Sequence, residues 1–249
     1  MQHVTIKGLV IRETDFGDAD RYITVLTERG ARIEVLCKGV RRRNSRMAAA
    51  VRLFCWSELT LYHGRGKYTL TDAAVLHSFW SVTADMETYA LCCYFSELAG
   101  AMTDEGEETP AVTRLFLYAL RAVAEQKRDR RLVKAAFELR LMAESGFLPE
   151  LAVCGACQNP IEGTVYFSVR EGVALDAQCL RRIGGGDFVA LPQGTYAAMA
   201  HILTCETPRV FAFALGGASL DRLAEVCEAY ALYYAERGFS SLEFYHSLF

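Results

Sequence analysis

The sequence predicts an α+β protein: a small five-stranded β-barrel in the first 80 residues, then an all-helical region interrupted by a small cysteine-bearing insert. Three observations predict it. Apolar residues alternate with a period of two in short runs up to about residue 75, and the runs are bounded by Gly and polar turns. From residue 84 onward the period becomes helical. Within the helical part, Cys154-Gly155-Ala156-Cys157 is followed after eighteen residues by Asp176-Ala177-Gln178-Cys179, the form of two two-ligand knuckles around a metal.

The strands come first. Val4–Ile11 is the first candidate, and Tyr22–Leu26 and Ala31–Leu36 are joined through Arg29-Gly30. Val51–Tyr62 alternates along a longer strand, and Gly64-Arg65-Gly66 turns the chain into Lys67–Leu70. Strands this short suit a closed barrel, because an open sheet of the same size leaves edges exposed. Helices are expected over Met86–Ala101, from Thr109-Pro110 toward Gln126, and from Asp129 to a cap at Gly146. Thr164–Ser168 reads as a short strand inside the insert, and Gly184-Gly185-Gly186 as a flexible joint after it. Two more helices fit Gln193–Leu203 and Ser219–Arg237, the second capped by Gly238. The expected division is a barrel domain over 1–80 and a helical domain over 81–249, with the insert at 150–183.

Composition narrows the class. Hydrophobic residues make up 52% and charged residues 23% of the chain, ordinary values for a soluble globular protein. No run of eighteen apolar residues is present, and the N-terminus lacks the apolar core of a signal peptide. Nine cysteines without a disulfide-scaffold spacing favour a reducing cytoplasm. The net charge of −3 hides an asymmetry: residues 1–70 carry 13 Lys+Arg against 7 Asp+Glu, and the remainder is acidic. A basic front predicts a phosphate-bearing partner.

The densest basic cluster, Lys38-Gly39-Val40-Arg41-Arg42-Arg43-Asn44-Ser45-Arg46, falls between two expected strands and so at one end of the barrel. Its five cations, with no acid among them, match phosphate oxygens, and guanidinium forks do so bidentately. The bland alternative is a solvated, partly disordered loop. Phe54, Trp56 and Tyr62 share one face of the expected strand by period two, either to stack bases or to fill the barrel core. Cys154, Cys157, Asp176 and Cys179 are the candidate metal ligands, since zinc accepts carboxylate oxygen as well as thiolate sulfur. With no His-Glu pair flanking them and no His in the loop between, a bound zinc is expected to be structural; without metal Cys154 and Cys157 are reduced thiols and Cys179 a buried one. Enzyme signatures such as Gly-x-Ser-x-Gly, His-Glu-x-x-His and a Walker lysine are absent, so no catalytic residue is assigned. Asp15, Asp18 and Asp20 lack the Gly and terminal Glu of a calcium loop, and Asp20-Arg21 reads as a turn with an ion pair.

Several stretches together resemble the RecO family of recombination mediators. They are Val10-Ile11-Arg12-Glu13-Thr14-Asp15 with Asp20-Arg21, the basic loop from Lys38 to Arg46, and Gly64-Arg65-Gly66 with Leu70-Thr71-Asp72-Ala73. Phe137-Glu138-Leu139-Arg140-Leu141-Met142, leading through Gly146-Phe147-Leu148-Pro149 into the first knuckle, adds a further one. The resemblance implies an N-terminal OB-fold and a helical domain with a zinc-finger-like insert. It implies binding of single- and double-stranded DNA, annealing of complementary strands, and partnership with RecR. It also implies contact with the C-terminal tail of single-strand binding protein, help in loading RecA, and a cytoplasmic, nucleoid-associated location. Arg12 and Arg21, within the family-like stretches, join Lys38, Arg41, Arg42, Arg43 and Arg46 as candidate DNA contacts. The family's third metal-site cysteine falls on Asp176 here. For an acidic partner tail the nearest basic rim is Arg121, Lys127, Arg128, Arg130, Arg131 and Lys134. The competing readings are a zinc-dependent nucleic-acid-processing enzyme and a protein-interaction adaptor working through its acidic half.

Overall fold

The structure is a computed structural model that describes residues 2–64, 66–104, 106 and 108–249; Arg65 of the family-like hairpin lies outside them. The chain packs as two compact units, one made of residues 1–124 with 239–249 and the other of 125–238.

The first unit is built on five strands, β1 (Gln2–Phe16), β2 (Asp20–Thr27), β3 (Arg32–Cys37), β4 (Cys55–Gly64) and β5 (Lys67–Ser78). They close into a barrel in the order β1-β2-β3-β5-β4, an arrangement of the OB type. β1 makes closure possible because it is shared: residues 2–9 pair with β4 and residues 8–16 with β2, with a bulge between Val10 and Arg12. β3 and β5 meet in parallel only at Val35↔Tyr68 and Leu36↔Thr69. Alternation along the strands sends Val10, Ile23, Val25, Val35, Leu59, Leu61 and Leu70 into one core. The β2–β3 turn needs Gly30, whose φ is 91°, and a Cβ there would fall on the backbone of Thr109.

Three helices complete this unit: α1 (Met86–Ala101), α2 (Pro110–Ala124) and, from the end of the chain, α7 (Ser240–His246). Asp85 caps α1 by accepting from the Thr88 backbone N–H at 2.9 Å and its hydroxyl at 2.6 Å. Thr113 on α2 donates to the Thr27 carbonyl at 2.7 Å, and Phe95 on α1 meets Phe116 on α2 edge to face. Glu97 on α1 accepts from Ser241 Oγ at 2.7 Å, which holds α7.

The second unit contains α3 (Arg130–Glu144), β6 (Val165–Ser168), β7 (Val173–Asp176), α4 (Ala177–Arg182), β8 (Val189–Leu191), α5 (Gln193–Thr204) and α6 (Gly217–Ala235). α3 is capped by Asp129, accepting from the Arg131 backbone N–H at 2.8 Å, and ends at Ser145 before Gly146 with φ 93°. Arg140 on α3 donates from one nitrogen to the carbonyls of Ile202, Leu203 and Cys205 at 2.9–3.0 Å, closing the C-terminal end of α5. Lys134 on α3 reaches Glu138 at 2.7 Å and Glu228 on α6 at 2.6 Å in the interior. Strands β6 and β7 of the insert pair with each other, and β6 also pairs with β8, which follows the insert. No helix among the described residues is long and apolar enough to cross a membrane.

Some sequence expectations need correction. The strand expected from Val51 begins only at Cys55, because Phe54 has φ 62° and curls the chain inward. Phe54 is therefore fully buried and does not share a face with Trp56 and Tyr62, which alternate with inward Ser57, Leu59 and Leu61. α6 ends at Ala235 and its left-handed cap is Glu236, with φ 53°, rather than Gly238. Lys134 cannot belong to a surface rim, since it is buried between two glutamates. Arg131 is tied to Asp129 and Asp221.

Candidate nucleic-acid interface and metal centre

The basic loop is a shaped surface. Residues 38–54 form successive tight turns, closed by bonds such as Arg42 N–H to the Gly39 carbonyl and Ser45 N–H to the Arg42 carbonyl. Three apolar side chains, Val40, Met47 and Val51, pack against the barrel core and pin these turns over its end. The β1–β2 turn grips the same loop: Asp20 accepts from Gly39 N–H at 2.7 Å, and the Ala19 carbonyl accepts from Arg41 N–H at 2.9 Å. With the apolar residues turned in, Lys38, Arg41, Arg42, Arg43 and Arg46 are exposed.

The cations fall into two sets. Arg21 pairs with Glu13 at 2.7 Å and with Asp15 at 2.8 Å, and Arg41 pairs with Asp15 at 3.3 Å. The ion pair expected of Arg21 thus runs to Glu13 and Asp15, and Asp20 serves the loop backbone. Lys38, Arg42, Arg43, Arg46 and Arg12 have no carboxylate partner among the described residues. A cleft of 510 Å³ opens here, lined by Arg21, Arg41, Arg42 and Arg52. Arg52 was not legible as a site residue, because it lies in a stretch that reads as strand. Its guanidinium sits 3.8 Å from the centroid of the Trp80 ring.

The second constellation lies in the insert. Cys154, Cys157, Asp176 and Cys179 offer ligand atoms that all lie within 4.8 Å of one another. Gly155 N–H donates to the Ala174 carbonyl at 2.9 Å, which lays the first knuckle along β7. Asp176 ends β7 and starts α4, and its two oxygens do different work. Oδ1 accepts from the Cys179 backbone N–H at 2.7 Å and caps α4, while Oδ2 lies 3.7 Å from Cys157 Sγ inside the cluster. A tetrahedral zinc with bonds of about 2.0–2.3 Å places its donors about 3.3–3.8 Å apart, and a spread within 4.8 Å is of the scale such a site needs.

The electrostatics suit a cation. The Cys179 backbone N–H, ahead of the other contacts, holds the Asp176 carboxyl below its usual range. Burial pushes the Cys154 thiol up, but backbone N–H groups of Asp176, Cys157 and Ala156 outweigh it and the thiol sits below its ordinary value. Cys179 is pushed up to about 12 by burial, then by the neighbouring thiols and carboxylate. Elsewhere burial raises the thiols of Cys37, Cys92 and Cys227, which makes them core residues and not nucleophiles.

Two family models match end to end. Residues 1–79 match the description "Recombination protein O N terminal", and residues 83–243 match "Recombination protein O C terminal". The chain belongs to the RecO family. Relatives named DNA repair protein RecO agree along its length. That of Symbiobacterium thermophilum is 31% identical over 98% of this chain and 96% of the relative. That of Acetivibrio thermocellus is 27% identical over 100% and 98%. That of Desulforudis audaxviator is 30% identical over 98% and 96%. In this RecO family member the barrel carries the basic loop, and the four-residue cluster lies within the region matching the C-terminal model.

Proposed function

We propose that this protein is a non-enzymatic mediator of recombinational repair that binds single- and double-stranded DNA through residues 1–80. The observation that carries this reading is the pinned loop at the barrel end, where Lys38, Arg42, Arg43 and Arg46 face outward without carboxylate partners beside an arginine-lined cleft. Arg12 is a further cation without a carboxylate partner among the described residues, whereas Arg21 and Arg41 touch DNA while still held by Glu13 and Asp15. Cations on a rigid support neutralise phosphates with little ordering entropy, and sequence is not read because the loop offers few amide side chains. Neutralising two strands at once lowers their mutual repulsion, which is the physical basis of annealing.

The helical region 81–249, with its insert at 150–183, is the partner half in this reading. It meets RecR and the acidic C-terminal tail of single-strand binding protein, and so helps place RecA on coated DNA at the nucleoid. Zinc in the insert is structural: held by Cys154, Cys157, Cys179 and Asp176 Oδ2, it ties the first knuckle to the β7–α4 junction. The test is binding of labelled single strands across a salt series, with and without single-strand binding protein, followed by denaturing gels. Pairing of complementary strands with no cleavage or base change is the expected result. Strand scission or deamination would replace this reading with the zinc-enzyme alternative, and absence of binding at low salt would replace it with the adaptor.

A further inference from the structure

Trp80 is 50% exposed, and it lies against Arg52, which lines the arginine-rich cleft. It follows β5 in a short 3-10 turn over Trp80–Ala84, whose backbone is fixed at Phe79 N–H to the Phe54 carbonyl, 3.1 Å. Arg52 is fixed from the other direction, its carbonyl accepting from Cys55 N–H at 3.1 Å. Both bonds use the Phe54–Cys55 peptide unit, its carbonyl holding Phe79 and its N–H holding Arg52, so one point fixes both backbones and sets the guanidinium 3.8 Å from the indole centroid. Arg52 has no carboxylate partner among the described residues, and it lines the same cleft as Arg42.

We infer that Arg52 and Trp80 form a stacking element that takes an unpaired base of single-stranded nucleic acid, with the adjacent phosphate lying in the arginine-lined cleft. This rests on the DNA-binding reading above and adds to it a preference for single strands. A guanidinium plane and an indole both stack on base faces, and every base has such a face. In a duplex those faces are covered by neighbouring bases, so this element contributes only to unpaired strands. Trp80 supports the guanidinium from 3.8 Å, and Arg42 supplies the second phosphate donor.

The protein has two tryptophans, Trp56 and Trp80, so Trp56→Phe leaves Trp80 as the sole indole reporter. In that full-length background, oligo-dT should quench the emission, and a blunt duplex at matched saturation should not. By anisotropy, Trp80→Ala and Arg52→Lys should each weaken oligo-dT binding about tenfold and leave duplex binding within about twofold. Arg52→Lys keeps the charge, so its salt slope should stay parental, and Trp80→Phe should recover most of the affinity, which separates stacking from misfolding. Oligo-dT that binds with parental affinity to both variants and leaves Trp80 emission unchanged overturns the inference while DNA binding stands. Equal losses on duplex and single strands also overturn it, as does quenching by polyglutamate but not by oligo-dT. A parent protein that binds neither nucleic acid at low salt removes the DNA-binding reading itself.

Discussion

Changing Arg42 and Arg43 together to Ala removes two cations that the structure leaves without carboxylates and turned outward at the barrel end. On single-stranded DNA each phosphate contact contributes about 0.7 to the slope of log affinity against log salt, so the double variant should flatten the slope by about 1.4. Between roughly 50 and 200 mM salt, the parent should then lose about sevenfold more affinity than the variant. Adding Arg41→Ala should flatten it by little more, because that guanidinium is already matched by Asp15 at 3.3 Å and by the Gly17 carbonyl at 3.2 Å. Asp15→Asn works in the opposite direction. It releases Arg41 and half of the carboxylate support of Arg21, so affinity should rise and the slope steepen. Anisotropy titrations at five or more salt concentrations measure all of these, with urea unfolding as a control expected within about 0.5 kcal/mol of the parent. A double variant with the parental slope would show that the loop does not touch the DNA backbone, and the barrel face bearing Trp56 and Tyr62 would become the contact surface.

The remaining predictions concern the second unit. Protein purified without chelator should carry near one equivalent of zinc, and Asp176→Cys should hold it more tightly in a competition titration, since thiolate suits zinc better than a monodentate carboxylate. A metal-free protein that keeps an unchanged unfolding transition would make the cluster vestigial. Lys134→Met should lower stability by about 3–5 kcal/mol in urea unfolding, because it leaves the fully buried Glu138 without the cation at 2.7 Å. A loss below about 1 kcal/mol would mean that the carboxylates take up protons and settle as neutral acids.

The parts legible in the sequence are those encoded by local period or by spacing. Strands β1 to β4 follow from alternation, helices α1 to α3 from apolar stripes with caps at Pro110, Asp129 and Gly146, and the candidate metal ligands from the interval between knuckles. The illegible parts are made by distant partners. Val40, Met47 and Val51 are isolated apolar residues with no shared period, so nothing local tells that they plug the barrel end and order the basic loop. Lys134 reads as a surface cation because its second partner, Glu228, lies 94 residues away. α4 and α7 have six and seven residues, too few for a helical period to declare itself. Asp176 shows as a ligand by spacing, but its capping of α4 depends on that unannounced helix.

Carboxylates inside a surface read as DNA-binding look like a contradiction, and the geometry resolves it. Four guanidinium groups around one cleft repel one another, and the loop that bears two of them must also stay against the barrel. Glu13 and Asp15 sit on β1, where they neutralise Arg21 on β2 and Arg41 in the loop. The loop backbone is fastened by Asp20 and the Ala19 carbonyl, which leaves the outer cations free of structural duty. In the proposed reading the matched arginines also build the support, and the unmatched ones contribute most of the charge newly neutralised on binding. This division sets the number of counterions released on binding, and hence how readily salt or a competing protein can displace the DNA. The mediator role proposed above requires DNA to be handed to another protein, and the partition of charges around Asp15 fits a grip of that limited kind.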